Sequence, residues 1–99
     1  MQRQQVVVSP QSAHSVHAVR KLRERLEVAL LASREVELIF NGTDPGLSFA
    51  DELVGVMLLQ HGPDILKRLV FKGCSNSVKA LIEFVVADRY DEYMATRAH

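Results

Sequence analysis

Ser48 is the residue with the most chemical options. It lies in Asn41-Gly42-Thr43-Asp44-Pro45-Gly46-Leu47-Ser48-Phe49-Ala50-Asp51-Glu52, a polar turn that runs into an apolar stretch. As a nucleophile it would sit in Gly46-Leu47-Ser48-Phe49-Ala50, which follows G-x-S-x-G except at the last position. That elbow turns sharply from strand to helix and needs an oxyanion hole and a histidine-carboxylate pair. Here seven residues separate Phe40 from Ser48, and no such support is apparent, so acyl transfer is not expected. As a helix cap, Ser48 begins a Ser-x-x-Asp pattern ending at Asp51. Its oxygen would accept a free backbone amide, worth about 1 kcal/mol, and the carboxylate would favour the positive helix end. As a modified residue it would carry a phosphate that suits the helix dipole but opposes Asp44, Asp51 and Glu52. The cap alone, or the cap with a regulatory role, are the two readings the residues support.

The remaining candidates carry less. Asp51 and Glu52 are adjacent and point about 100° apart on a helix, poor geometry for sharing an ion, so with Asp44 they are expected to be solvated charges at a helix start. His14 and His17 could share a helix face, but two ligands do not make a metal site; His61 at a helix end and His99 at the terminus are not tied to them. Arg20, Lys21, Arg23 and Arg25 suggest phosphate contacts, yet Glu24 and Glu27 interrupt the patch and the basic positions point in several directions. Cys74, near Lys72, is either a thiol with a lowered pKa or an inert buried cysteine near a turn, and inert is the expectation.

Periodicity places these residues on elements. Val6, Val7 and Val8 form a short β-branched strand stopped at Ser9-Pro10. From Ser12, taken as the N-cap, Val16, Val19, Leu22, Leu26, Ala29 and Leu30 recur at helical spacing to about Ser33. Glu35 to Phe40 becomes wholly apolar at its end, which predicts a central strand covered on both faces. Residues 47–60 then form a helix in which Phe49, Ala50, Leu53, Val54, Val56, Met57 and Leu58 span an apolar arc of roughly 200°, about twice the minimum stripe. One side packs on the sheet, and the surplus predicts a second cover supplied by another protein. His61-Gly62-Pro63 stops this helix. Leu69, Val70 and Phe71 carry a third strand, and Ser75 or Ser77 caps a last helix whose pattern weakens past Asp88.

The order β-α-β-α-β-α predicts an α/β fold: one domain over residues 1–99, a mostly parallel sheet of three to four strands, and helices packed on it. At 99 residues there is room for one core; 47% hydrophobic and 24% charged residues are ordinary globular values, and zero formal net charge gives no global attraction to nucleic acid. One cysteine excludes an internal disulfide. The opening residues lack the apolar core of a secretory signal, and no run approaches the roughly 20 apolar residues of a membrane span, so a cytoplasmic protein without membrane association is expected.

Val36-Glu37-Leu38-Ile39-Phe40-Asn41-Gly42, Leu47-Ser48-Phe49-Ala50-Asp51-Glu52-Leu53-Val54-Gly55, Leu69-Val70-Phe71-Lys72-Gly73-Cys74-Ser75 and Val78-Lys79-Ala80-Leu81-Ile82 resemble the STAS-like domain of unknown function, a bacterial family related to anti-sigma factor antagonists. The likeness spans about residues 35 to 86, with Ser-Phe-Ala-Asp-Glu its most specific piece. It implies a small α/β signalling domain that binds proteins, with a histidine-kinase-like ATPase as the partner class. In better-understood relatives a serine or threonine at the start of the helix after the central strand is phosphorylated; Ser48 is the matching residue.

These readings converge on a non-enzymatic interaction module with no cofactor. It would dock through Asn41, Asp44, Ser48, Asp51 and the outer helix positions Val54, Met57 and Leu58, with Ser48 as phosphoacceptor. The alternatives are a structural homodimer using the same surface without a switch and, more weakly, nucleic-acid binding through Arg20, Arg23 and Arg25 on the first helix.

Overall fold

The structure, a computed structural model, describes residues 3–10 and 15–97. The expectations at Ser12, His14 and His99 lie outside the described residues. The elements are β1 (Arg3–Val7), α1 (Val16–Ala32), β2 (Glu35–Ile39), α2 (Leu47–Ala50), a π-helical segment (Asp51–Gly55), α3 (Val56–His61), a 3-10 segment (Pro63–Arg68), β3 (Leu69–Lys72) and α4 (Asn76–Arg97).

The three strands pair in the order β1-β2-β3 and all run parallel, with β2 in the centre as its composition predicts. Val6 lies opposite Leu38, and Leu38 opposite Phe71, so side chains of one parity share a face. The core draws its strand members from that face alone: Val6, Val8, Val36, Leu38, Phe40 and Leu69, with Phe71 packed against them. Gln5, Val7, Glu37, Ile39, Val70 and Lys72 alternate onto the other face. Right-handed crossovers in a 1-2-3 sheet put both connections on the same side, so the helices form one layer. This corrects the expectation of a central strand covered on both faces. Ile39 belongs to the face away from the core, and Glu37 is shielded by its neighbours, accepting a 2.9 Å hydrogen bond from Gln5 Nε2.

In α1 the predicted stripe of Val19, Leu22, Leu26, Ala29 and Leu30 is buried, whereas Val16 stays 56% exposed. Ser15 is the cap: its Oγ accepts from the Ala18 amide at 3.3 Å. The chain turns extended at Ser33, and Arg68, arriving from the 3-10 segment, donates to the carbonyls of Leu30, Ser33 (2.8 Å) and Arg34 (3.0 Å). These include carbonyls that a helix leaves without partners at its C-terminus.

From α2 to α3 the backbone stays right-handed helical through Asp51 and Val56, so residues 47–61 are one helix with a π-helical middle. It ends at Gly62 (φ 89°) followed by Pro63, as predicted. Its broad apolar arc is real, with Phe49, Ala50, Leu53, Val54, Met57 and Leu58 all buried. The second cover, however, is the chain itself, because α1 and α4 pack on either flank of this helix. Excluding water from the surplus needed no partner, since burying each such side chain is worth about 1.5–3 kcal/mol wherever the cover comes from.

The last helix continues to Arg97, while its buried stripe of Val78, Ile82 and Val85 ends before Asp88, as the weakening pattern predicts. Two late anchors hold it: Arg89 pairs with Asp51, and the Tyr93 hydroxyl lies over the Cα of Gly62, where an added Cβ would stand 3.0 Å from it.

Candidate functional site

The carboxyl ends of parallel strands are where an open α/β sheet leaves a crevice. At that end of β2 the chain reverses through Asn41 (φ 51°) and Gly42 (φ 77°), both left-handed, with the Thr43 amide bonded to Phe40 O at 2.8 Å. Asparagine and glycine are the residues that accept this backbone at little cost. Next to it Gly42 donates to Gly73 O, tying the loops after β2 and β3 together. A side chain at Gly73 (φ 71°) would meet the Asn41 amide nitrogen at 3.0 Å.

Asp44 is fixed by this pairing of loops. Ser75 Oγ donates to Asp44 Oδ1 at 3.1 Å and accepts from the Val78 amide at 3.2 Å, capping α4 while it positions the carboxylate. Of the two predicted caps for that helix, Ser75 is the one used.

Ser48 corrects the capping expectation. Gly46 occupies the N-cap of α2, Leu47 is the first helical residue, and no side-chain cap bond is made. The Ser-x-x-Asp pattern therefore sits two residues too far into the helix to act as a capping box. Ser48 is left exposed, and its hydroxyl makes no hydrogen bond with a described residue. It lines an open cleft of about 580 Å³ between the starts of α1 and α2, shared with Ser15, Val16, Val19, Phe49, Asp51 and Glu52.

Two carboxylates, Asp51 and Glu52, line this cleft together with the apolar Val16, Val19 and Phe49. Asp51 and Glu52 diverge as adjacent helical residues must, and separate helices answer them. Arg89 of α4 donates Nε and Nη2 to the two Asp51 oxygens at 2.6 Å each, while its Nη1 reaches Glu92 at 2.7 Å. Donating hydrogen bonds to Asp51 and then to Glu92 pushes the Arg89 pKa further above its ordinary value. Arg23 of α1 donates to Glu52 Oε2 at 2.6 Å and to Glu52 O at 2.9 Å. These carboxylates are thus paired charges and not the solvated ones expected from sequence. Gly55 makes the first pairing possible, since a Cβ there would lie 2.5 Å from Asp51 Oδ1 and 3.0 Å from both Arg89 Cγ and Val85 Cγ1.

The sequence-predicted docking residues therefore separate. Asn41 and Asp44 are exposed in the loop after β2, Ser48 is exposed in the first turn of α2, and Asp51 is half-buried and lines the same cleft as Ser48. Val54, Met57 and Leu58 are at most 1% exposed and offer no surface to any partner. The sequence reading did not foresee the pairing of Arg23 with Glu52, of Arg89 with Asp51 or of Ser75 with Asp44, nor the close approach at Gly55. Gly55 had a legible signal, because a glycine inside an apolar helical run marks a close approach. Arg23 is withdrawn from the basic patch by Glu52, leaving Arg20, Lys21 and Arg25 on the surface. His17 is exposed, and His61 pairs with Glu27 at 2.8 Å. Among the described residues no group of three or more His, Cys, Asp or Glu side chains could hold a metal ion, and no helix is long and apolar enough to cross a membrane. Cys74 is half-buried; desolvation raises its pKa, against a smaller lowering by Lys79, so the thiol is not activated.

A three-stranded parallel sheet with helices packed against it defines a small α/β domain. The chain belongs to the family of STAS-like domains of unknown function, whose family model matches residues 20–79. The match begins inside α1, earlier than the sequence likeness at residue 35, and ends at Lys79 in α4. No curated protein and no solved structure matches the chain.

Proposed function

We propose that this domain is a non-enzymatic protein-interaction module that docks through the rim at the carboxyl end of its sheet, with Asn41, Asp44 and Ser48 as contact residues. One observation carries the proposal: the Ser48 hydroxyl is exposed in an open cleft and has no structural task, while Asp51 and Glu52, which line the same cleft, are held in place by Arg89 and Arg23. A rigid rim around an unengaged hydroxyl suits recognition and modification. Phosphorylation of Ser48 would add a charge of about −1.5 to −2 to a cleft already lined by two carboxylates, competing for their arginine partners and making the surface more negative. Such a domain works as a switch, and a histidine-kinase-like ATPase is the partner class that the family relationship favours.

The test pairs the domain with such an ATPase from the same cell. With ATP present, phosphate is expected on Ser48 by mass spectrometry and on no residue of Ser48→Ala. Asp44→Arg is expected to weaken binding about tenfold or more, as the loss of one well-placed charged contact would. Equal binding by the unmodified protein, Ser48→Asp and Asp44→Arg would remove both the switch and the face.

A further inference from the structure

The edge of β1 lies apart from the Ser48 cleft, sharing none of its lining residues. No strand lies beyond β1 among the described residues. The Val8 amide bonds to Ile39 O, so alternation along a parallel ladder directs the peptide groups of residues 4, 6 and 8 toward β2 and those of Gln5 and Val7 outward. Sheet edges are ordinarily guarded by proline, by bulges or by inward-pointing charge. Within β1 there is no proline and the only charged residue is Arg3, at its start.

An open groove runs along this edge, walled by Gln4, Gln5 and Val6 on the strand and by Lys21, Glu24, Arg25 and Val28 on α1. The helix residues are a single stripe at spacings of three and four. Lys21, Glu24 and Arg25 are exposed and make no ion pair or side-chain hydrogen bond with a described residue, and Val28 is 64% exposed. The stripe is complementary to itself. A two-fold axis through its midpoint sets Glu24 opposite Arg25 of a second copy, twice over, and sets Val28 opposite the aliphatic stem of Lys21.

We propose that the occupant of this groove is a second copy of the chain, with β1 pairing antiparallel to β1 to give a continuous six-stranded sheet and α1 packing antiparallel to α1. The spacing agrees. Strands lie about 4.8 Å apart, and α1 contacts both β1 and β2. A helix seated midway between those strands is about 4.8 Å from an axis half a strand spacing beyond β1, which puts the two α1 axes about 9.6 Å apart, within the 8–10 Å of packed helices. The pairing uses the bare backbone groups of Gln5 and Val7 and leaves the rim at Ser48 free for another molecule.

Sedimentation velocity on the full chain, up to roughly 100 μM, tests this. A dimer of the 11.1 kDa chain is expected. Glu24→Arg and Arg25→Glu should each weaken dimerisation at least about tenfold, and the double swap should restore it to within about threefold. Both positions are exposed, so the variants should fold, as circular dichroism will show. In hydrogen exchange, protection of the Gln5 and Val7 amides should rise with protein concentration. A monomer at every concentration, a dimer indifferent to the single reversals, a double swap that fails to recover, or exchange at Gln5 and Val7 that ignores concentration would each overturn the proposal. None of these results depends on phosphorylation or on a partner at Ser48.

Discussion

Arg89 reaches across 38 residues of sequence to hold both oxygens of Asp51, and the bare Cα of Gly55 is what lets it lie there. At an ordinary helical position, replacing glycine with alanine stabilises by about 1 kcal/mol. At Gly55 the added methyl would sit 2.5 Å from Asp51 Oδ1 and 3.0 Å from Val85 Cγ1, forcing the ion pair or the helix contact to shift. Overpacking of this kind costs about 1–3 kcal/mol, so Gly55→Ala is expected to be destabilising overall by roughly 1–2 kcal/mol in urea unfolding. Combined with Asp51→Ala the penalty should shrink, because one of the clashing atoms is gone. A more stable Gly55→Ala would show that the close approach constrains nothing.

How much of this was legible in the sequence follows from the range of each interaction. The three strands, the central place of β2 and the broad apolar arc of residues 47–60 are local patterns and were readable, although β1 runs Arg3–Val7 and so begins three residues ahead of the Val6 to Val8 run expected. The second cover of that arc was not, because α4 comes from a stretch some thirty residues later in the chain, and an apolar surplus looks the same whether its cover is internal or foreign. The Arg89–Asp51 and Arg23–Glu52 pairs likewise join charges whose sequence neighbourhoods give no sign of a partner. The misplaced cap had a different cause. Ser-x-x-Asp is a genuine pattern, but Pro45-Gly46 starts the helix early, and a shift of two residues turns a capping serine into a free one.

Three serines test that shift. Ser15 caps α1 and Ser75 caps α4, each accepting a backbone amide, whereas Ser48 caps nothing. Alanine at Ser15 or Ser75 should lower stability by about 1 kcal/mol, and at Ser48 by less than about 0.5 kcal/mol. Ser75→Ala should also release Asp44, so it should alter any binding at the rim as well as the melting temperature. A loss at Ser48 equal to the other two would restore its capping role.

Met57 separates an interaction surface from a core. It is fully buried between the sheet side and the flanking helices, so Met57→Asp would place a carboxylate where water cannot follow. The expected cost exceeds about 4 kcal/mol, enough to abolish cooperative unfolding in a domain of this size. Any loss of partner binding by this variant should therefore accompany loss of near-UV circular dichroism. A folded Met57→Asp with its binding alone impaired would mean that the helix face is available to partners after all.

Cys74 gives the pH-dependent case, and the sign follows from which form the fold prefers. Burial raises the thiol above its ordinary value of 9.0, with Lys79 pulling in the opposite direction. The folded protein thus favours the neutral thiol, and the unfolded chain ionises first. The contribution of this group to stability is complete below about pH 9 and falls as pH rises through the raised folded pKa. Because the thiolate is the reactive form, labelling of native protein by a disulfide reagent at pH 8 should be slower than labelling of the unfolded chain. Lys79→Ala removes the one opposing charge, so it should move the pKa higher and slow the reaction further, with Cys74 no more exposed than before. Faster labelling in that variant would show that burial does not govern the thiol.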